Sequence, residues 1–93
     1  MLSLQWQEAM RQSKIDEIIE MYPDETFLTV TDMDEAIVGV DVTNFRLVYS
    51  VDKIVEILMK DMSYDDAIEY FDFNIAGAYM GEATPIFAKM IDP

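Results

Sequence analysis

Cysteine and histidine are both absent from this chain of 93 residues, and glycine and proline occur only three times each. Without cysteine the fold has no disulfide and no thiolate metal site, so a hydrophobic core must supply its stability. The commonest general base and the strongest nucleophile of enzymes are also missing. With so few glycines there is no glycine-rich loop of the kind that holds phosphate. We therefore expect a protein that is not an enzyme and that carries no cofactor.

Basic residues are scarce as well. Six Lys and Arg stand against nineteen Asp and Glu, which gives a formal net charge of −13. This charge repels nucleic-acid phosphates and anionic membranes, and it favours a basic protein as the partner, or no partner. The simplest interpretation is that the acidity keeps a domain rich in Met and aromatic residues soluble. The alternative is a nucleic-acid mimic, whose carboxylates would block a basic site on another protein.

Apolar residues make up 52% of the chain and include eight Met, five Phe and five Tyr. This content supports one small core, so we expect a single domain over residues 1–93, with dimerisation as a second source of stability. Residues 1–8 lack the basic flank and apolar stretch of a signal peptide. The longest uncharged run, residues 73–81, is too short to cross a bilayer. The expected location is the cytoplasm.

Hydrophobic periodicity predicts an α+β fold in which three to four helices pack on a sheet of two or three strands. Residues 3–22 are predicted to be helical, as one helix or as two that meet near Ser13, with an end at Pro23. We expect residues 1–23 to form a peripheral helical segment and residues 26–91 to form the compact core.

Three segments have strand-like sequences. Residues 26–31 (TFLTVT) are rich in β-branched residues and predict a strand or an extended segment. Residues 45–50 (FRLVYS) alternate like a half-buried strand. Residues 86–90 follow Pro85 directly and predict a final edge strand.

Two serines predict the starts of the later helices. Ser50 is expected to cap a helix with a broad apolar face over residues 54–59. Ser63 is expected to cap a longer helix that runs to about Met80, with Gly81 as its C-cap.

A D-x-D sequence at Asp32 and Asp34 follows an apolar segment. Residues 30–34 resemble the motif with which phosphotransferases of the haloacid dehalogenase type place a nucleophilic and an acid/base Asp around magnesium. The resemblance covers five residues, and 93 residues leave little room for the rest of that catalytic domain. We favour Asp32 as the cap of a short helix that continues to Val38. A magnesium-dependent phosphohydrolase using Asp32 and Asp34 is the remote alternative.

The last predicted helix has two apolar sides. Its core stripe consists of Tyr64, Ala67, Ile68, Phe71, Ile75, Ala78 and Tyr79. The opposite side carries Tyr70, Phe73, Gly77 and Met80, flanked by an acidic surface of Asp65, Asp66, Glu69 and Asp72. Such a helix is either enclosed within its domain or buries its second side against another chain. We expect the second side to be an interface, with a second copy as the simplest partner.

Asn74 lies at the edge of the core stripe. A buried amide must find hydrogen-bond partners, most simply the backbone of an adjoining loop. We expect Asn74 to be a structural latch of this kind, and a ligand contact is the alternative.

The C-terminal half carries a continuous pattern of short motifs. It comprises AIEYF at residues 67–71, FNIAGAY at 73–79, GE at 81–82 and TPIF at 84–87. With this pattern the chain resembles short proteins encoded by bacteriophages and prophages that share an AIEYF-x-FNI-x-GAY-x-GE-x-TPIF ending. The resemblance covers about residues 32–88 and implies no biochemical activity. It implies a phage gene product that acts in the bacterial cytoplasm during infection.

These observations predict a non-enzymatic, phage-type accessory protein that works by binding protein. The expected partner is a second copy of the chain, a basic host protein, or both. The nucleic-acid mimic, the phosphohydrolase and a structural part of a larger assembly are the alternatives.

Overall fold

A computed structural model describes residues 14–78 and 81–91 of the chain. Within these residues the α-helices are α1 (Lys14–Met21), α2 (Val51–Leu58) and α3 (Tyr64–Tyr70), and the strands are β1 (Ile37–Asp41), β2 (Arg46–Ser50) and β3 (Ile86–Ala88). A 3₁₀ turn at Asp34–Ala36 precedes β1, and a π-helical segment at Phe71–Ala76 follows α3 directly. The expected α+β class is confirmed.

The sheet has β2 at its centre, between β1 and β3. β1 and β2 form an antiparallel hairpin in which Asp41 pairs with Arg46, and the register shifts between Ile37 and Gly39. β3 pairs with β2 in parallel, so the chain must return to the starting end of the sheet between these strands. The helices α2 and α3 and the π-helical segment lie in this connection, which brings the last helix back against the core.

The core combines the central strand with all three α-helices. Leu47 and Tyr49 lie on one face of β2 and are fully buried, as their alternation predicts. The helical members of the buried cluster are Ile18, Ile54, Val55, Leu58, Ala67, Phe71 and Ile75. Because Ile18 belongs to this cluster, α1 packs on the core and is not peripheral. Residues 1–13 lie outside the described residues.

In residues 26–41 the predicted short helix up to Val38 is wrong, and of the two alternatives for residues 26–31 the strand is not found. Residues 26–31 join no strand, and the backbone N–H of Val30 instead donates to the Tyr49 hydroxyl at 2.8 Å. Strand β1 begins at Ile37, where a helix was expected. The β-branched residues of β1 pair with β2, and this tertiary pairing outweighs the local helix signal.

Asp32 does not cap a helix. Its φ of 63° is left-handed, and it is the third residue of a turn in which the Met33 N–H donates to the Val30 carbonyl at 3.2 Å. The residue before the 3₁₀ turn is Met33, whose side chain makes no capping hydrogen bond. The turn position of Asp32 favours Gly or Asn, and Asp tolerates it better than most residues.

The turn between β1 and β2 is organised by Asp41. Its carboxylate accepts the Thr43 N–H at 3.0 Å and lies 3.4 Å from the Arg46 guanidinium. The pKa of Asp41 lies below its usual value mainly because its carboxylate accepts the hydrogen bond from the Thr43 N–H. The contact with Arg46 lowers this pKa further. Phe45 ends the turn with a φ of 56°, and its ring packs edge-on against Tyr22 with centroids 5.4 Å apart. The end of α1 therefore packs against the hairpin.

Both predicted serine caps are confirmed. Ser50 Oγ accepts the Lys53 N–H, and Ser63 Oγ accepts the Asp66 N–H, each at 3.2 Å. These bonds satisfy backbone donors that have no partner within the first turn of a helix, and they fix where α2 and α3 begin.

The last helix ends earlier than expected. The π-helical segment stops at Ala76, and Gly77 follows it, so Gly81 is not its C-cap. Gly81 has a φ of 96° and lies in the turn that leads to β3, a conformation that favours glycine. The predicted final strand is present as Ile86–Ala88 directly after Pro85.

Candidate protein-interaction face

The side of α3 and of the π-helical segment that turns away from the core is exposed. Phe73 has 76% of its surface accessible and Tyr70 has 44%, and Gly77 is also exposed. We call these three residues the outer face. Phe71 and Ile75, on the other side, are 7% and 9% exposed. The outer face is therefore not enclosed by the described part of the domain.

The predicted core stripe is buried only in part among the described residues. Tyr64, expected in the core, is 58% exposed, and Ala78 is exposed as well. Tyr79 and Met80 lie outside the described residues. The role of the outer face as an interface stays a prediction.

The π-helical segment fixes the shape of the outer face. A π-helix has a wider turn than an α-helix, and such turns are frequent at functional sites. A Cβ on Gly77 would lie 3.0 Å from the Asp72 carbonyl oxygen and 3.3 Å from that of Phe73. The close neighbour of Gly77 is therefore the backbone of its own helix. A side chain at this position would require those carbonyl groups to shift by a few tenths of an ångström.

A groove of about 430 Å³ runs beside Phe73. We call it the Phe73 groove. Its lining residues are Met62, Asp66, Glu69, Tyr70, Phe73 and Asn74. Aromatic and thioether groups thus adjoin two carboxylates, so the groove can bury an apolar group and hold a positive charge beside it.

A second groove, of about 440 Å³, lies between the last helix and the turn that contains Asp32. We call it the Asp61 groove. Its apolar lining is Val30, Met33, Ile57, Leu58 and Ile75, and its polar lining is Thr31, Asp32, Asp61, Tyr70 and Asn74. Because Tyr70 and Asn74 line both grooves, the two adjoin and form one continuous surface.

Asn74 corrects the expectation of a buried latch. Its side chain is exposed, and the residue lies where the two grooves meet. The wide π-helical turn carries it away from the edge of the core stripe, where ideal α-helical spacing would place it. An exposed amide can donate and accept hydrogen bonds at a surface.

Positive charge is absent from the described part of this surface. The described Lys and Arg residues are Lys14, Arg46, Lys53, Lys60 and Lys89, and none of them lines either groove. Lys14 Nζ donates to the backbone carbonyls of Glu35 and Ile37, Arg46 pairs with Asp41, and Lys89 pairs with Asp52. Lys53 and Lys60 line another groove with Glu35 and Glu56, and this groove shares Ile57 with the Asp61 groove.

Negative charge, in contrast, is abundant here. Residues 61–88 contain no Lys or Arg, and their acidic residues are Asp61, Asp65, Asp66, Glu69, Asp72 and Glu82. The four residues of the predicted acidic surface are all exposed on α3 and the π-helical segment. Other exposed acidic residues lie on α1 and around the 3₁₀ turn, so acidity also occurs on other elements.

The D-x-D residues do not follow a strand in the described part of the chain. Asp32 is in a turn and Asp34 is in the 3₁₀ turn after it, and the described chain from residue 14 onward has no strand before them. Among the described residues there is no group of three or more Asp, Glu, His or Cys side chains that could hold a metal ion.

Comparison with protein-family models, with curated proteins and with solved structures gives no match. No helix in the part of the chain that the structure describes is long and apolar enough to cross a membrane.

The sequence did not identify Asp61, Thr31 and Met62 as residues of the candidate site. They come from the turn before the 3₁₀ segment and from the α2–α3 connection, and only the folded chain brings them beside Tyr70. One signal was present in the sequence. Residues 61–88 carry acidic residues and no Lys or Arg, a pattern that residues 15–45 share.

Proposed function

We propose that this chain is a non-enzymatic protein-binding domain. Its binding surface is the outer face together with the two grooves that adjoin it. The observation that carries the proposal is the 76% exposure of Phe73 beside the half-exposed Tyr70. Aromatic residues grouped at a surface, with a polar surround, are typical of protein interfaces. The resemblance to phage and prophage proteins supports an accessory role in the bacterial cytoplasm during infection.

Photo-cross-linking tests this proposal even when the partner is unidentified. Phe73 is replaced by benzoylphenylalanine in the chain expressed in bacteria, and the matched control carries the same group at Val42. Val42 is 65% exposed, but it lies in the β1–β2 turn, outside both grooves. We expect a discrete cross-linked product from position 73 and none from position 42.

The mass of the product identifies the type of partner. An adduct of twice the chain mass would indicate the homodimer that the sequence suggests, and any other discrete mass would indicate a different protein. Equal, diffuse cross-linking from both positions would contradict binding through the outer face.

The nucleic-acid mimic is the second candidate function. The exposed carboxylates of Asp65, Asp66, Glu69 and Asp72 favour it, because they lie on one continuous helical element. A mimic would compete with duplex DNA for a basic protein in a salt-sensitive manner, and conversion of these four residues to Asn or Gln would abolish the competition. Phe73→Ser would leave that competition unchanged, whereas it would disrupt binding through the outer face.

A further inference from the structure

Resting on the proposed function, we infer that the partner presents a basic amphipathic segment: a Lys or Arg side chain enters the Asp61 groove while an adjacent apolar residue packs against Phe73. The chemistry of the two grooves, the charge of the surface and the shared position of Tyr70 carry this inference.

The Asp61 groove has an apolar base and an acidic rim. Met33, Leu58 and Ile75 line it and are 5%, 9% and 9% exposed, whereas Asp32 and Asp61 are exposed. Lys and Arg have an aliphatic stem that can lie on apolar surface and a charged end that seeks carboxylates. A volume of about 440 Å³ is ample for such a side chain. The groove therefore matches a long cationic side chain better than a purely apolar one.

Tyr70 connects this cation site to the apolar site. Tyr70 lines both grooves, whereas Phe73 lines only the Phe73 groove. A cation placed in the Asp61 groove can also contact the face of the Tyr70 ring, a favourable cation–π arrangement. A single partner segment can thus contact Asp32 and Asp61 at one end, Tyr70 in the middle and Phe73 at the other end.

A second copy of this chain does not match the same surface. Pairing two outer faces around a two-fold axis would bring Asp66, Glu69 and Asp72 of one copy near the same residues of the other. Residues 61–88 supply no basic residue to offset that repulsion. The outer faces of two copies therefore do not complement each other in charge, and charge complementarity selects a basic partner protein.

The test measures the affinity of a labelled helical peptide of about three turns, with Lys and Arg on one side and Leu on the other. A matched peptide has Gln in place of each Lys and Arg. The chain is compared with the variant Asp32→Asn/Asp61→Asn, which keeps the shape of both side chains. Asn also tolerates the left-handed backbone at position 32, so this variant preserves the turn.

The control variant Glu20→Gln/Asp24→Asn removes the same net charge from exposed residues that line neither groove. We expect Asp32→Asn/Asp61→Asn to weaken binding about tenfold or more and the control to change it by less than about twofold. Phe73→Ser should weaken binding separately, and the Gln peptide should bind much more weakly than the basic one.

Equal losses for the two double variants would overturn the inference, because they would show an effect of net charge alone. Equal affinity for the Gln peptide, or no effect of Phe73→Ser, would also overturn it. Competition by spermidine at the affinity of the peptide would show that the groove takes a free polyamine and not a protein segment. A discrete cross-link from position 73 combined with any of these outcomes would leave the proposed function standing and reject only the basic partner.

Discussion

In the part of the molecule built from α1 and the β1–β2 hairpin, three charged side chains, Lys14, Asp41 and Arg46, bond to the chain itself. Lys14 donates to two backbone carbonyls, and Asp41 accepts from the β-turn and pairs with Arg46. In the part built from α3 and the π-helical segment, every charged residue is acidic, and three aromatic side chains, Tyr64, Tyr70 and Phe73, lie exposed among them. The first region uses some of its charged groups to hold its own fold, whereas the carboxylates and these aromatic side chains of the second are exposed.

Phe71 and Phe73 show a contrast between a buried and an exposed side chain within the π-helical segment. Phe71 is 7% exposed and its ring packs edge-on against Phe87 with centroids 5.5 Å apart, whereas Phe73 is 76% exposed. We expect Phe71→Ala to lower the free energy of unfolding by about 3–5 kcal/mol, since it opens a cavity in the core. Phe73→Ala should change it by no more than about 0.5 kcal/mol. Urea unfolding of both variants measures the difference, and similar losses would mean that the outer face is covered within the chain.

Tyr49 tests the internal bonding of the hairpin region. It is fully buried, and its hydroxyl accepts the Val30 N–H at 2.8 Å. Tyr49→Phe leaves that donor without a partner, so we expect a loss of about 1–3 kcal/mol. Tyr64→Phe is the control, because Tyr64 is 58% exposed, and it should have little effect.

The pH dependence of the free energy of unfolding gives a second test of the environment of Tyr49. Burial raises the pKa of the Tyr49 phenol above its usual value, since the folded state disfavours the phenolate. Its stabilising contribution is therefore fully present below about pH 10, the usual pKa of tyrosine, and is lost as the pH rises through the raised pKa. The difference in stability between the wild type and Tyr49→Phe should shrink above about pH 10. A constant difference would contradict the assigned environment.

Gly81, in the turn that leads to β3, and Gly39, in β1, differ in what an added side chain is expected to cost. Gly81 has a φ of 96°, whereas Gly39 in β1 has open space around the position of a Cβ. Gly81→Ala should cost about 1 kcal/mol, because a side chain disfavours positive φ. Gly39→Ala should be neutral or should stabilise by up to about 1 kcal/mol through the unfolded state. Thermal unfolding of the two variants provides the comparison, and an equal loss in both would argue against the left-handed turn at Gly81.

Local signals were sufficient to predict much of this fold. The serine caps, the alternation in β2 and the proline before β3 each act within a few residues, and each is found where it was predicted. β1 was missed because its strand conformation depends on pairing with β2, which the local sequence does not encode.

The candidate site was less accessible to sequence reasoning. Periodicity separated Phe71 from Phe73, but it assumed an α-helix through Asn74, where the chain is π-helical. It therefore placed Asn74 at a buried edge. The Asp61 groove combines residues from three separate segments, so no local pattern could reveal it.

The smallest expected effect concerns Asp41, whose carboxylate organises the turn of the hairpin region. Because the Thr43 N–H and other donors hold its pKa below the usual value, its contribution to stability is present above about pH 4 and is lost as the pH falls through the lowered pKa. Asp41→Asn can keep the bond to the Thr43 N–H, but it removes the attraction to Arg46. We therefore expect a loss of thermal stability near pH 7 that disappears near about pH 2. Asp72→Asn removes the same charge from the acidic region and corrects for the change in net charge. If Asp72→Asn showed the same pH-dependent loss as Asp41→Asn, the contrast between internally bonded and outward-facing carboxylates would fail.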